Sequence, residues 1–193
     1  MPRKTISPKR AQTRQRLIDA AGEAIASQGF HRATIDEIAA RAGVTKGAIY
    51  DNFESKDDLF LAVVAARSRE RLERFQWPRD RRGTLKSRLR RLAEAVIQEA
   101  PEWKIEAPLR AEFLLYALTH KKLREDLSRL YIQRIDFVRD QVRQSIGDDE
   151  LPISSEKFVL LLEALIPGLM YIRAQAPELM TDETIVQIFE SLA

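Results

Sequence analysis

Residues able to do covalent chemistry are sparse in this chain, while residues able to recognise an anion are plentiful. None of the 193 residues is cysteine, which excludes disulfides, thiolate metal sites and cysteine nucleophiles. The two histidines, His31 and His120, lie far apart without acidic partners at ligand spacing, so no metal is expected. No nucleophile–base pair and no phosphate-cradling glycine loop is visible, so no catalytic residue and no cofactor is assigned. The available chemistry is that of cations. Lys and Arg number 32 against 29 Asp and Glu, a formal charge of +3 that says little as a total. Its placement says more: Arg3, Lys4, Lys9, Arg10, Arg14 and Arg16 all precede the first acid, Asp19. Up to Tyr50, nine basic residues face four acidic ones, which is +5 and leaves −2 for the remainder. A basic segment joined to a slightly acidic body suits a polyanionic partner such as DNA.

The elements that position these cations read as helices. Sustained period-two alternation is missing, and apolar residues recur at helical spacing throughout, so the expected class is all-α with about nine helices. Ser7-Pro8 supplies an N-cap and a first-turn proline, and the stripe Leu17, Ala21, Ala24, Ile25 stops at Gly29. Thr34-Ile35-Asp36-Glu37 reads as a reciprocal capping box for a short helix that ends near Gly43. Thr45 caps a third helix running to about Asn52, and Ser55 a fourth. A capped helix, a tight turn holding Gly43 and a second short helix make a helix-turn-helix. Small residues Ala39, Ala42, Gly43 and Ala48 fit a close crossing, with Val44 and Ile49 between the helices.

Further on, the spacing predicts a fifth helix over Leu85–Val96 ended by Pro101, then a helix holding Phe113 and Tyr116. A long helix follows over Leu127–Ile146, stopped by Gly147. Phe158–Arg173 is apolar almost all round, with Pro167-Gly168 expected to kink or end it, and Ile185–Leu192 closes the chain. No stretch is judged long or apolar enough to span a bilayer and no apolar core follows the basic start, so a cytoplasmic protein with no membrane partner is expected.

The stretch from Gly29-Phe30 through Thr34-Ile-Asp-Glu-Ile-Ala, Ala42-Gly43-Val44, Lys46-Gly47, Ile49-Tyr50, Phe53 and Lys56-Asp57-Asp58-Leu59 resembles the N-terminal domain of the TetR family of transcriptional regulators. The resemblance is dense over about Arg10 to Leu61 and thinner beyond it. Leu165-Ile-Pro-Gly-Leu-Met170 with Pro177-Glu-Leu179 looks like the family's penultimate helix and the turn after it. The resemblance implies a helix-turn-helix DNA-binding domain with a basic arm over residues 1–55 and a helical ligand-binding and dimerisation domain over 56–193. It also implies double-stranded operator DNA, a second copy of the chain and a small-molecule effector as partners.

Residue by residue, Thr45, Lys46, Gly47 and Ala48 begin the recognition helix, which in such a unit enters the major groove. Tyr50 and Lys56 match positions that commonly touch phosphates in the family. Thr34 is a further phosphate candidate, in competition with its capping role. Arg10, with Arg3, Lys4 and Lys9, extends the contact along the backbone or minor groove. Asn52 stands where many members have a histidine. Because the recognition helix has few long polar side chains, methyl contacts and DNA shape are expected to carry much of the specificity. Tyr50 has a half-buried packing role as its alternative.

In the body, the family's effector site lies among the middle helices, which makes Phe113, Tyr116, Phe137 and Trp103 the candidate lining, against a plain core role. Trp103 is expected in a loop or at a pocket rim. The stripe Leu161, Leu162, Leu165, Leu169 is expected to be exposed in a monomer and covered in a dimer, with Gly168 and Ile188 at the same interface. Glu163 would pair with an arginine of the partner subunit. The basic run from Arg67 to Arg91 is expected to be a solvated surface with local ion pairs, its alternative being a second contact to DNA or ligand. The leading function is a dimeric, ligand-responsive regulator, most simply a repressor. The alternatives are a ligand-independent DNA-binding protein and an activator.

Overall fold

Nine helices and no strand occur among the described residues of the computed structural model, which are 7–147 and 150–193, with the backbone alone at 104–106. Arg3 and Lys4 lie outside them. In chain order the helices are α1 (Pro8–Gln28), α2 (Ile35–Ala42), α3 (Lys46–Tyr50), α4 (Lys56–Arg74), α5 (Leu85–Gln98), α6 (Ala100–Thr119), α7 (Lys121–Ser145), α8 (Ser155–Gln175) and α9 (Asp182–Glu190).

Local chemistry sets most of the starts. The side chains of Ser7, Thr34, Thr45, Thr84, Ser154 and Thr181 each accept a hydrogen bond from the amide three residues on. Ser55 Oγ does the same for the Asp58 amide at 3.1 Å. Each such cap satisfies a donor that the helix itself cannot, and contributes about 1 kcal/mol. The predicted capping box forms by half. Thr34 Oγ1 accepts from the Glu37 amide at 3.3 Å, but the Glu37 carboxylate is taken by Arg41 at 2.8 Å and by Gln28. Those two donors hold the Glu37 carboxyl below its usual range.

The chain forms two compact units. The first contains residues up to Glu73 together with Leu109–Ser128; the second contains Arg74–Pro108 and Arg129–Ala193. In the first, Leu17, Ile38, Ile49, Phe53, Leu59 and Phe60 are fully or almost fully buried in one core. Phe30 (3% exposed) stacks edge-on against Phe60 at 4.7 Å and Phe113 at 5.4 Å, with Tyr116 tilted against it at 4.8 Å. Burial of each such side chain contributes roughly 1.5–3 kcal/mol. In the second unit α5 packs on α9, with Leu89, Leu92 and Val96 of one and Ile185 and Phe189 of the other buried.

Several expectations need correction. Pro101 does not precede a loop: it sits in the first turn of α6, where a missing amide hydrogen costs nothing, and Trp103 is a buried helical residue. The long helix begins at Lys121, six residues before Leu127. Pro167-Gly168 does not end α8, which runs unbroken through both; the proline forfeits only its own bond to the Glu163 carbonyl. That continuity makes α8 21 residues of length and composition sufficient to cross a membrane, contrary to the sequence reading. Within its unit α8 buries Phe158, Val159, Leu162, Leu169 and Met170, while most of the helix lies open. Leu162 (2% exposed) and Leu169 (5%) therefore face inward and do not belong to a free stripe. Glu163 pairs with Arg134 of its own chain and accepts from Tyr131 Oη at 3.1 Å, both partners lying on α7.

The first unit is expected to fold around Phe60. Phe60→Ala should cost about 3–5 kcal/mol in chemical denaturation, and a loss below about 1 kcal/mol would contradict the core described.

Candidate nucleic-acid interface

The turn between α2 and α3 is held by backbone geometry that only glycine adopts without strain. Gly43 has φ 62° and ψ 39°, its amide donating to Ala40 O at 3.1 Å and the Val44 amide to Ala39 O at 3.0 Å. The Arg16 guanidinium of α1 donates to the Ala42 carbonyl and pins the turn from the other side. From there α3 is divided lengthwise. Ile49 is fully buried, Ala48 and Val44 are half-buried, and Phe53 beyond the helix is 2% exposed. Thr45, Lys46, Gly47 and Tyr50 lie on the outward side, Tyr50 being 51% exposed rather than packed.

Two other helix starts flank that outward face. On one side Lys46 Nζ lies 3.0 Å from Asp36 Oδ1, which brings α3 beside the start of α2 and its cap Thr34. On the other, Arg10 donates to the Asp51 carbonyl at 2.6 Å, which brings the start of α1 beside the end of α3. Thr34, Thr45, Lys46, Gly47, Tyr50 and Arg10 thus form one exposed surface. The Asp36 hydrogen bond, then its charge, raises the Lys46 pKa, so Lys46 is a full cation at neutral pH. The pair is solvent-exposed and weak enough to be exchanged for a phosphate.

Gly47 is exposed, and its φ lies outside the left-handed region; an added Cβ would meet only Thr45 Oγ1, at 3.8 Å. Neither packing nor backbone strain within the chain calls for glycine there.

Other expected contact residues have internal roles. Asn52 is half-buried, its Nδ2 donating to Ala48 O at 2.8 Å, so it closes the end of α3. Lys56 is half-buried, with its ammonium 5.0 Å from the Phe60 ring centre and 6.0 Å from that of Phe30. Arg14 lies 4.4 Å over the Phe53 ring. Sequence reasoning missed these cation–aromatic roles, although a cation near an aromatic at i+4, as in Lys56 and Phe60, was a readable signal.

From Arg79 to Arg91 the second basic run is largely occupied within its own unit, while Arg67, in the first unit, donates to the Gly22 carbonyl. Arg88, 4% exposed, donates to Glu150 and to the Arg81 carbonyl. Arg79 reaches Gln144 and Gln141, and Arg91 reaches the carbonyls of Asp80 and Arg82. Arg90 and Lys86 share Glu190. Hydrogen bonds from Arg82, from its side chain and then its backbone, take the Asp80 carboxyl down to about 2.

The candidate effector residues divide between the units. Phe113 and Tyr116 belong to the first, where they pack on Phe30, and Tyr116 Oη donates to Asp57 at 3.2 Å. Burial, then the Asp57 charge, raises the Tyr116 pKa. Trp103 (7% exposed) and Phe137 (40% exposed) belong to the second. On α8, Leu161 and Leu165 are half-buried, as is Ile188 on α9. A Cβ at Gly168 would meet nothing within 4 Å. The sequence reading missed Leu160 (48% exposed), Ala164 and Ile172 (45%), which with Gly168 recur every fourth residue along one open apolar side of α8.

Residues 17–63 match the family model of bacterial regulatory proteins of the tetR family. The HTH-type transcriptional regulator SrpR of Pseudomonas putida is 31% identical over 182 residues, 89% of this chain and 79% of that protein. Among solved structures, GusR of Salmonella enterica aligns at TM-score 0.72 and 22% identity, covering 98% of each chain. The multidrug binding protein EbrR, complexed with imidazole, aligns at TM-score 0.70 and 21% identity over all of this chain and 96% of its own.

Gly47→Ala separates fold from recognition. It should leave stability unchanged or raise it by up to about 1 kcal/mol, because alanine is the better helix former. DNA affinity should fall in the same variant, as it should in Lys46→Ala and Tyr50→Phe. Asp36→Asn, which releases Lys46, should raise it. Thermal melts and gel shifts together check all four, and unchanged binding in Gly47→Ala and Lys46→Ala would remove these residues from the interface.

Proposed function

The chain belongs to the TetR family of bacterial transcriptional regulators, and from that premise we propose that it is a dimeric repressor released from a pseudo-palindromic operator by a small molecule. The observation that carries the reading is the outward face of α3, where Lys46, Gly47 and Tyr50 serve no packing need of the chain. Residues 1–55 bind the DNA, and residues 56–193 bind effector and partner. This division is by role. The working location is the cytoplasm, where operator DNA is found.

The dimer forms through α8 and α9, by way of Leu161, Leu165, Gly168 and Ile188, with Leu169 packed beneath them. The open Leu160–Ala164–Gly168–Ile172 side of α8 supports this, since a contiguous apolar face of that kind calls for a partner. Gly168 lets two such helices approach closely. Two-fold symmetry then presents two recognition helices to half-sites one helical turn apart, or a simple multiple of it.

The effector acts through Trp103 and Phe137 of the second unit, the two of the four aromatic candidates that do not pack on Phe30. EbrR, whose fold this chain shares, is a multidrug binding protein complexed with imidazole, and that supports a small organic effector here. A hundredfold preference of the effector for the DNA-free form supplies about 2.7 kcal/mol of coupling, and DNA must disfavour the effector by the same factor.

Analytical ultracentrifugation at micromolar concentration should give a dimer, alone and with DNA. In vitro selection from random duplexes should return a pseudo-palindrome bound with steep salt dependence, the logarithmic slope falling by roughly 0.9 for each phosphate contact removed. A monomer on DNA would overturn the mechanism.

A further inference from the structure

Gly29, Phe30 and His31 form the corner between α1 and α2, and a single side chain 81 residues beyond the corner's last residue holds it. Glu112 of α6 accepts from the Phe30 amide through Oε2 at 3.0 Å and from the His31 amide through Oε1 at 3.1 Å. The two oxygens of one carboxylate thus take two consecutive backbone donors, one each, a pairing that a Gln amide with its single acceptor oxygen does not reproduce. The corner is shaped for it. Gly29 has φ 87°, and a Cβ there would meet Glu112 Oε2 at 3.3 Å. Beneath the carboxylate the Phe30 ring lies between Phe113 and Tyr116, the next residue and the next turn of the same helix.

The same strip of chain reaches the far end of the helix-turn-helix. Tyr116 Oη donates to Asp57 at 3.2 Å in the first turn of α4, and Lys122 Nζ donates to Glu54 at 3.2 Å. The recognition helix α3 lies between the two anchored points, one before α2 and one after α3. All of these residues belong to the first compact unit.

We propose that Glu112 is a positioning residue: its clamp on the Phe30 and His31 amides fixes the pose of the recognition helix and so the half-site spacing that the dimer accepts. The inference rests on the reading of the chain as a DNA-binding dimer. In a dimer with rigidly seated modules, only one separation lets both recognition helices engage. With the corner released, each module swings, one-spacing affinity falls, and other spacings become tolerable.

The test uses two duplexes: the pseudo-palindrome that the wild-type protein selects from a random pool, and the same duplex with one base pair inserted at its centre. The wild type should bind the inserted duplex at least about tenfold more weakly, a loss comparable to that of a mismatched base pair. In Glu112→Ala, affinity for the selected duplex should fall about tenfold, the scale of one charge-assisted hydrogen bond, and the ratio between the duplexes should shrink to within about threefold. Glu112→Gln, which keeps the bulk and one acceptor oxygen, should lie between and guards against a variant that fails to fold. A role confined to stability scales both affinities together, so an unchanged ratio in folded Glu112→Ala or Glu112→Gln overturns the proposal. If the wild type selects no pseudo-palindrome, the DNA-binding reading fails, and this inference fails with it.

Discussion

A five-residue helix has no stability of its own in water, because nucleation alone outweighs the few bonds it makes. The recognition helix α3 therefore exists only as far as its surroundings impose it. Ile49 is fully buried in the core of the first unit, Phe53 closes the helix behind it, and the Thr45 hydroxyl takes the Ala48 amide at the front. Every outward property of the helix, from the placing of Lys46 to the bare surface at Gly47, follows from that inward fixing. The fully buried Leu17, Ile38 and Phe60 thereby set how α3 is presented, without themselves reaching the surface.

The same dependence explains what could be read from the sequence. The caps at Thr34, Thr45 and Ser55, the turn at Gly43 and the placing of Ile49 between the helices are governed by neighbours within four residues, so their spacing suffices. Contacts that join distant segments were not legible. Glu112 gives no local sign that its carboxylate is bound to amides 81 and 82 residues earlier. Glu163 looked like a charge awaiting a partner subunit, because nothing in the sequence sets α7 and α8 in the register that supplies Arg134. The composition of α8 was plain, but which of its sides is buried was not. An almost wholly apolar helix carries no moment to orient it, and the inward role of Leu162 and Leu169 emerged only from the packing.

Charge follows a similar logic. Two arginine-rich stretches look alike in composition but differ in what surrounds them. Between Arg79 and Arg91 the guanidinium groups close carbonyls and carboxylates of their own unit, so their charge is largely internal to its folding. Beside α3, Lys46 instead pairs with Asp36 across an exposed contact that a phosphate can replace. The total charge of +3 hides this contrast. What a polyanion meets is the exposed module, doubled and held at one spacing in the proposed dimer.

Hydrogen exchange measured on the chain with and without its selected duplex reports which amides the DNA covers. New protection is expected at residues 34–37 and 45–50 and at the start of α1, with the Arg79–Arg91 segment unchanged. Protection confined to Arg79–Arg91, with α3 exchanging as freely as before, would contradict the assignment of α3 as the recognition helix.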